Sequence, residues 1–114
     1  MKKKVRIYEM GRGNADNVMV IDKLTLVVHS IDERTPQVIF VANPNIVEYR
    51  ATQKSQSMGF ESIDETRLVT LAPNSEPIKV EIEGTVYTIA VDSIGTTQDA
   101  RRRTYCDFVV SWEE

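Results

Sequence analysis

A period of two constrains this chain more than any other feature. Ile78, Val80 and Ile82 alternate with Lys79, Glu81 and Glu83, and Gly84 follows. The pattern then resumes through Thr85-Val86-Tyr87-Thr88-Ile89-Ala90-Val91. Near the C-terminus Cys106, Phe108, Val110 and Trp112 form one row, and Tyr105, Asp107, Val109 and Ser111 the other. Successive strand side chains point to opposite faces, so such alternation writes half-buried β-strands. The first of these units is a β-hairpin with Glu83-Gly84 at or near its turn.

The same reading extends along the chain. Lys4–Glu9 is a strand with Val5 and Ile7 on one face, and a turn-rich loop from Gly11 to Asn17 follows. Val18–Ile21 and Leu24–His29 are either a hairpin about Asp22-Lys23 or one long strand bulged at Asp22, because Asp-Lys lacks the glycine that two-residue turns favour. Gln37–Val41 is a buried strand after a polar loop. Two segments, 46–55 and 63–71, are readable as strand or helix. Asn45 with Glu48, and Ser62 with Glu65, have capping-box spacing, yet the residues that follow are β-like. The strand reading is preferred for Ile46–Thr52, with Val47, Tyr49 and Ala51 inward. Gln53–Ser62 reads as a loop into which Met58 and Phe60 tuck. Asp92–Arg103 reads as a long polar loop with one helical turn about Thr97–Arg101, before a last strand at Thr104–Trp112.

The expected fold is therefore all-β or mainly β. It is a single domain over 1–114: a small β-sandwich or partly open β-barrel of about 7–8 short strands, with at most one or two short helices. A length of 114 residues and an apolar share of 41% suffice for a core without staples. A single cysteine makes an internal disulfide impossible.

Charge divides along the chain. Residues 1–57 carry nine basic and six acidic side chains, whereas residues 58–114 carry five basic and eleven acidic. The overall balance of −3 does not suit a duplex-DNA binder, which needs a basic domain or stripe. Opposite-signed halves do suit head-to-tail contacts between copies, because complementary potentials fix orientation. Lys2, Lys3, Lys4 and Arg6 form a basic N-terminal run readable as an arm onto a neighbour. The apolar residues after it alternate, so it does not resemble a signal peptide, and no apolar run approaches the ~20 residues that span a bilayer. A cytoplasmic location, in a bacterial cell or infected host, or a virion, is expected.

The residues for catalysis are sparse. One His and one Cys fall short of the three or four ligands of a zinc site. His29 reads as an ordinary edge histidine and Cys106 as a small buried hydrophobe. There is no nucleophile elbow, P-loop or zincin motif, and Gly11-x-Gly13 lacks the third glycine of a dinucleotide fingerprint. Glu81 and Glu83 at i, i+2 are the best carboxylate pair for acid–base work, although such a pair is more often the solvated face of a hairpin. No catalytic residue, cofactor or metal is assigned.

The most specific polar element runs from Gly95 to Arg103 and on to Tyr105. Arg101, Arg102 and Arg103, with Gln98, Asp99 and Tyr105, are the ligand or interface candidates. Arginine forks grip phosphate and carboxylate, and arginine recurs at interface hot spots. Three consecutive arginines in an extended segment cannot all face one way, so at most two grip one ligand. Tyr105, Tyr49 or Tyr87 supplies a stacking face. The alternative is a solvated loop paired with the acidic half.

The order strand, Gly turn, strand ending Val91-Asp92, polar loop and final strand is similar to small β-barrel phage head–tail joining proteins. The resemblance covers residues 78–112 alone and carries no functional residue across. It implies an assembly role. The expectation is a non-enzymatic assembly or protein-binding module, a homo-oligomer of the kind found among phage structural or accessory proteins. The alternative is a binder that captures a nucleotide or other anion on the Arg101–Arg103 loop. A weak enzyme using the glutamate pair ranks behind both.

Overall fold

The structure is a computed structural model that describes residues 1–9, 16–46, 48, 49 and 67–113. Eight strands are present among them: β1 (Lys2–Tyr8), β2 (Val18–Ile21), β3 (Leu24–Asp32), β4 (Gln37–Ala42), β5 (Val69–Leu71), β6 (Ile78–Ile82), β7 (Thr85–Thr96) and β8 (Thr104–Trp112). They form two four-stranded antiparallel sheets, β1-β8-β7-β6 (sheet A) and β2-β3-β4-β5 (sheet B). Each sheet is essentially a meander, and β1 closes sheet A by returning beside the last strand. The mainly-β expectation holds, and the architecture is that of a small sandwich.

The alternating rows make the core. Val5 and Ile7 of β1, Tyr87, Ile89 and Val91 of β7, and Cys106, Phe108, Val110 and Trp112 of β8 point inward from sheet A. Leu24, Leu26, Val28, Val38, Phe40 and Leu71 meet them from sheet B. Phe40 and Phe108 touch edge to face across the interface, with centroids 5.2 Å apart at 77°. Side chains of this size contribute about 1.5–3 kcal/mol each when fully buried. On the opposite face of sheet B, Val27 and Val41 are paired and also fully buried.

Turn chemistry fixes the registers. The β6–β7 hairpin turns on Glu83 (φ 49°) and Gly84 (φ 84°), both left-handed as a two-residue turn of right-twisted strands demands. Between β2 and β3 the chain makes a hairpin about Asp22-Lys23, with Asp22 at φ 57°, and so not one bulged strand. A residue from the other sheet holds this turn. The Tyr87 ring is buried in the core, and its hydroxyl donates to Asp22 Oδ2 (2.5 Å) and accepts from the Lys23 amide (3.2 Å). Burial and the Asp22 carboxylate push the Tyr87 phenol above its ordinary range.

Three readings are corrected. Ile46, Glu48 and Tyr49 are helical, not strand. Asn45 and Glu48 form the reciprocal capping box their spacing allowed: the Glu48 amide donates to Asn45 Oδ1 (2.8 Å) and the Asn45 amide to Glu48 Oε1 (2.9 Å). Glu48 is buried, and Arg67 Nε meets it at 2.9 Å. Second, Asp92–Thr96 is strand, because a register shift between Val91 and Ser93 absorbs the polar Asp92 and β7 continues. The loop thus shortens to residues 97–103. Third, Glu83 lies in the hairpin turn beyond β6, so Glu81 and Glu83 are not one same-face strand pair. Within 63–71 the chain is strand from Val69. The rest of 46–55, residues 63–66, most of the Gly11–Asn17 loop, and Met58 and Phe60 lie outside the described residues.

Candidate interaction surfaces

The outer face of sheet A gathers Lys2, Lys4, Arg6 and Tyr105 of the residues singled out from the sequence. Arg6 sits opposite Asp107, and Tyr8 opposite Tyr105. Arg6 Nε donates to Asp107 Oδ1 (2.8 Å) and Nη2 to Oδ2 (3.0 Å), a bidentate pair, while Ser93 Oγ adds a bond at 3.1 Å. Asp107 is buried, and the Arg6 bonds hold its carboxyl below the usual range despite that burial. The Arg6 guanidinium also lies 3.8 Å from the centre of the Tyr105 ring. Lys4 Nζ reaches Asp92 at 2.9 Å.

Tyr105 faces Gly95 across the sheet. A Cβ on Gly95 would come within 2.8 Å of the Tyr105 hydroxyl oxygen, so only glycine lets the ring lie down there. Tyr8 meets Tyr105 edge-on, with centroids 6.3 Å apart. Arg103 stacks 4.1 Å over Tyr8 and donates to Asp16. Arg6, Tyr105, Tyr8 and Arg103 therefore form a satisfied cation–aromatic ladder that ties the β8 start to β1 and to Asp16.

Residues 97–103 are braced from within. Asp99 Oδ1 accepts from the amides of Arg101 and Arg102 (3.1 Å each) and from Thr97 Oγ1 (2.9 Å). These bonds, the Thr97 hydroxyl foremost, lower the Asp99 pKa. Arg103 donates its amide to Thr97 Oγ1, and Gln98 Nε2 lies 3.5 Å from the Thr96 carbonyl. Arg102 is left-handed at φ 46°. Arg101 and Arg102 are exposed and carry no ion pair among the described residues. The arginine run is thus split, with two side chains in solvent and Arg103 in the ladder. Arg103 pairs with Asp16 of the basic half and not with the acidic half.

The stacking and catalytic candidates separate as well. Tyr87 is fully buried and offers no face to a ligand, which corrects the reading that grouped it with Tyr49 and Tyr105. Cys106 is buried, and burial pushes its thiol up to about 12. His29 is exposed at the register shift in β3. Among the described residues, no three His, Cys, Asp or Glu side chains cluster so as to hold a metal, and no helix is long and apolar enough to cross a membrane.

What sequence reasoning missed is the state of the sheet edges. Lys2–Lys4 and Arg6 form no free arm: they are the body of β1, paired to β8 from Lys2↔Ser111 to Tyr8↔Tyr105. At the other end of sheet A, β6 has no partner strand on its outer side among the described residues, and its inward row Ile78, Val80 and Ile82 is only half-buried. Beside it lies an open hollow of about 660 Å³ on the outer face, lined by Lys79, Val86, Thr88, Ser111 and Trp112 among others. Val86 is 47% exposed there. No protein-family model matches the chain, and no curated protein and no solved structure shows significant similarity to it.

Proposed function

We propose that this domain is a non-enzymatic assembly module that works as a homo-oligomer. The observation that carries the reading is the open β6 edge. Ile78, Val80 and Ile82 belong to the core-facing row, yet no further strand among the described residues completes their burial. An unpaired edge with an apolar row is a template for pairing with another chain. Val86 and the hollow next to it extend the contact surface onto the outer face. Such a module suits a virion component, a phage accessory protein or a cytoplasmic complex. Sedimentation analysis tests it: the expected mass is a multiple of 13.0 kDa, and Val80→Lys, which puts a charge into the half-buried row, lowers it.

A second reading is favoured by the Asp99-braced turn. It holds two exposed arginines on a backbone with Arg102 in the left-handed region, and residues held in such conformations cluster at ligand clamps. In that reading Arg101 and Arg102 capture a nucleotide or another anion, with Arg103 committed to the ladder. Replacing Arg101 and Arg102 by Ala then abolishes nucleotide-induced thermal stabilisation and leaves the mass unchanged. In the assembly reading, nucleotides give no thermal shift.

A further inference from the structure

The two edges of sheet A differ in charge and match in hydrogen-bond phase. β1 carries Lys2, Lys3, Lys4 and Arg6 and no acidic residue. Lys4 and Arg6 are engaged with Asp92 and Asp107, but Lys2 and Lys3 are exposed and form no ion pair among the described residues. β6 carries Glu81, and Glu76 and Glu83 flank it, all exposed, against the single Lys79. One edge is basic and the opposite edge acidic.

The backbone phase follows from alternation. In an antiparallel ladder each residue turns both its N–H and its C=O to one side. Met1 exchanges bonds with Trp112, and the Glu9 amide bonds the Thr104 carbonyl, so the odd-numbered residues of β1 face β8. The Tyr8 amide, of the other phase, bonds outward to the Asp16 carbonyl. Lys2, Lys4 and Arg6 share that outward phase. On β6 the two-residue turn makes Ile82 and Thr85 a bonded pair, so Ile82, Val80 and Ile78 face β7 and Lys79 and Glu81 face outward. On both edges, then, the outward-bonding residues carry their side chains on the outer face of the sheet. Bonded partners must share a face, so the two edges join with no bulge, and the inner row Val5–Ile7 runs on into Ile78–Val80–Ile82.

Direction agrees too. β1, β8, β7 and β6 are successively antiparallel, so β6 runs opposite to β1. A second copy in the same orientation therefore presents a β1 antiparallel to the β6 it meets. Of the symmetric alternatives, β1 against β1 opposes lysines, whereas β6 against β6 can set Lys79 against Glu81 and is the competing junction that the variants below must separate.

We infer that β1 of one copy pairs with β6 of the next, so that sheet A continues head to tail through the assembly as one antiparallel sheet. This rests on the assembly reading and gives it a partner surface and a direction of contact. Head-to-tail contacts close into a ring or run on as a filament.

Charge swaps test it. Lys2→Glu with Lys3→Glu makes the unpaired charges of the β1 edge acidic, like those of β6, with Lys4 and Arg6 still held by Asp92 and Asp107. Glu81→Lys with Glu83→Lys makes both edges basic. Thermal unfolding checks that each variant is folded, and light scattering reads the mass. The expected result is a wild-type mass several-fold above 13.0 kDa, each variant alone at 13.0 kDa, and restoration of the large mass when the two are mixed in equal amounts. Variants that keep the wild-type mass, or a mixture that stays monomeric beside an oligomeric wild type, overturn the head-to-tail junction and leave the assembly reading standing. A wild type that is monomeric at every concentration overturns both.

Discussion

Replacing Arg6 by Met removes both guanidinium bonds to Asp107 and the cation over Tyr105, while keeping a long apolar stem on the edge strand. Asp107 is then left with the Ser93 hydroxyl, and its side chain is only 7% exposed. An exposed ion pair contributes ~0.2–1 kcal/mol, and breaking a fully buried one costs ~3–5 kcal/mol. The Arg6 side chain is 45% exposed, so water screens part of the pair and a value between those limits applies. The expected loss is about 2 kcal/mol at pH 7, or about 8 °C in Tm for a domain of this size. The pH dependence has a definite sign. Arg6 lowers the Asp107 pKa from its ordinary 3.8, so the pair stabilises the fold above that pH, and the contribution is lost as pH falls through the folded value. In Arg6→Met, burial favours the protonated acid, so the deficit relative to wild type shrinks below about pH 4. Urea unfolding at pH 7 and at pH 3 measures both. A deficit under 0.5 kcal/mol at pH 7, or one equal at both pH values, refutes the account of the pair.

Other positions give independent checks. Gly84→Ala meets no atom within 4 Å, so its whole cost is the left-handed backbone at φ 84°, about 1–2 kcal/mol by denaturant unfolding. Gly95→Ala instead drives a methyl into the Tyr105 hydroxyl, and the crowding costs about 1–3 kcal/mol and changes the tyrosine near-UV circular dichroism. Cys106, buried with its thiol pushed up to about 12, resists aromatic disulfide reagents at pH 8 in the folded protein and reacts at once in urea. Spectrophotometric titration finds the Tyr87 phenol ionising above its ordinary range until the fold opens.

Much of the fold was legible because the core rows alternate without interruption: 78–91 and 105–112 are strands where the pattern says so. Errors fall where distant contacts override local pattern. Asp22-Lys23 is a poor turn by itself, and it holds because a tyrosine from the other sheet bonds both residues. Asp92 ended the apparent strand at Val91, yet a bulge carries the ladder past it to Thr96. Asn45 and Glu48 spelled a capping box, and the helical reading was outweighed by β-like residues whose tertiary setting the local pattern does not contain. Of the candidate surface, the arginine run was visible, but its division between Arg103 and the exposed Arg101 and Arg102 depends on Asp16 and Tyr8, which only the β1–β8 pairing brings near. The basic run at the N-terminus looked like an arm because nothing local tells a lysine-rich tail from a lysine-guarded edge strand. That β1 and β6 lie at opposite ends of one sheet is a fact of topology alone.

Amide hydrogen exchange resolved by residue tests the central claim most directly. In a lone domain the amides of Lys4, Arg6, Lys79 and Glu81 meet no partner among the described residues and exchange freely, while those binding β7 to β8 are protected. The assembly account predicts that the four edge amides gain protection together as protein concentration rises, and lose it in high salt. Free exchange at these four positions at every concentration, beside a protected β7–β8 ladder, contradicts it.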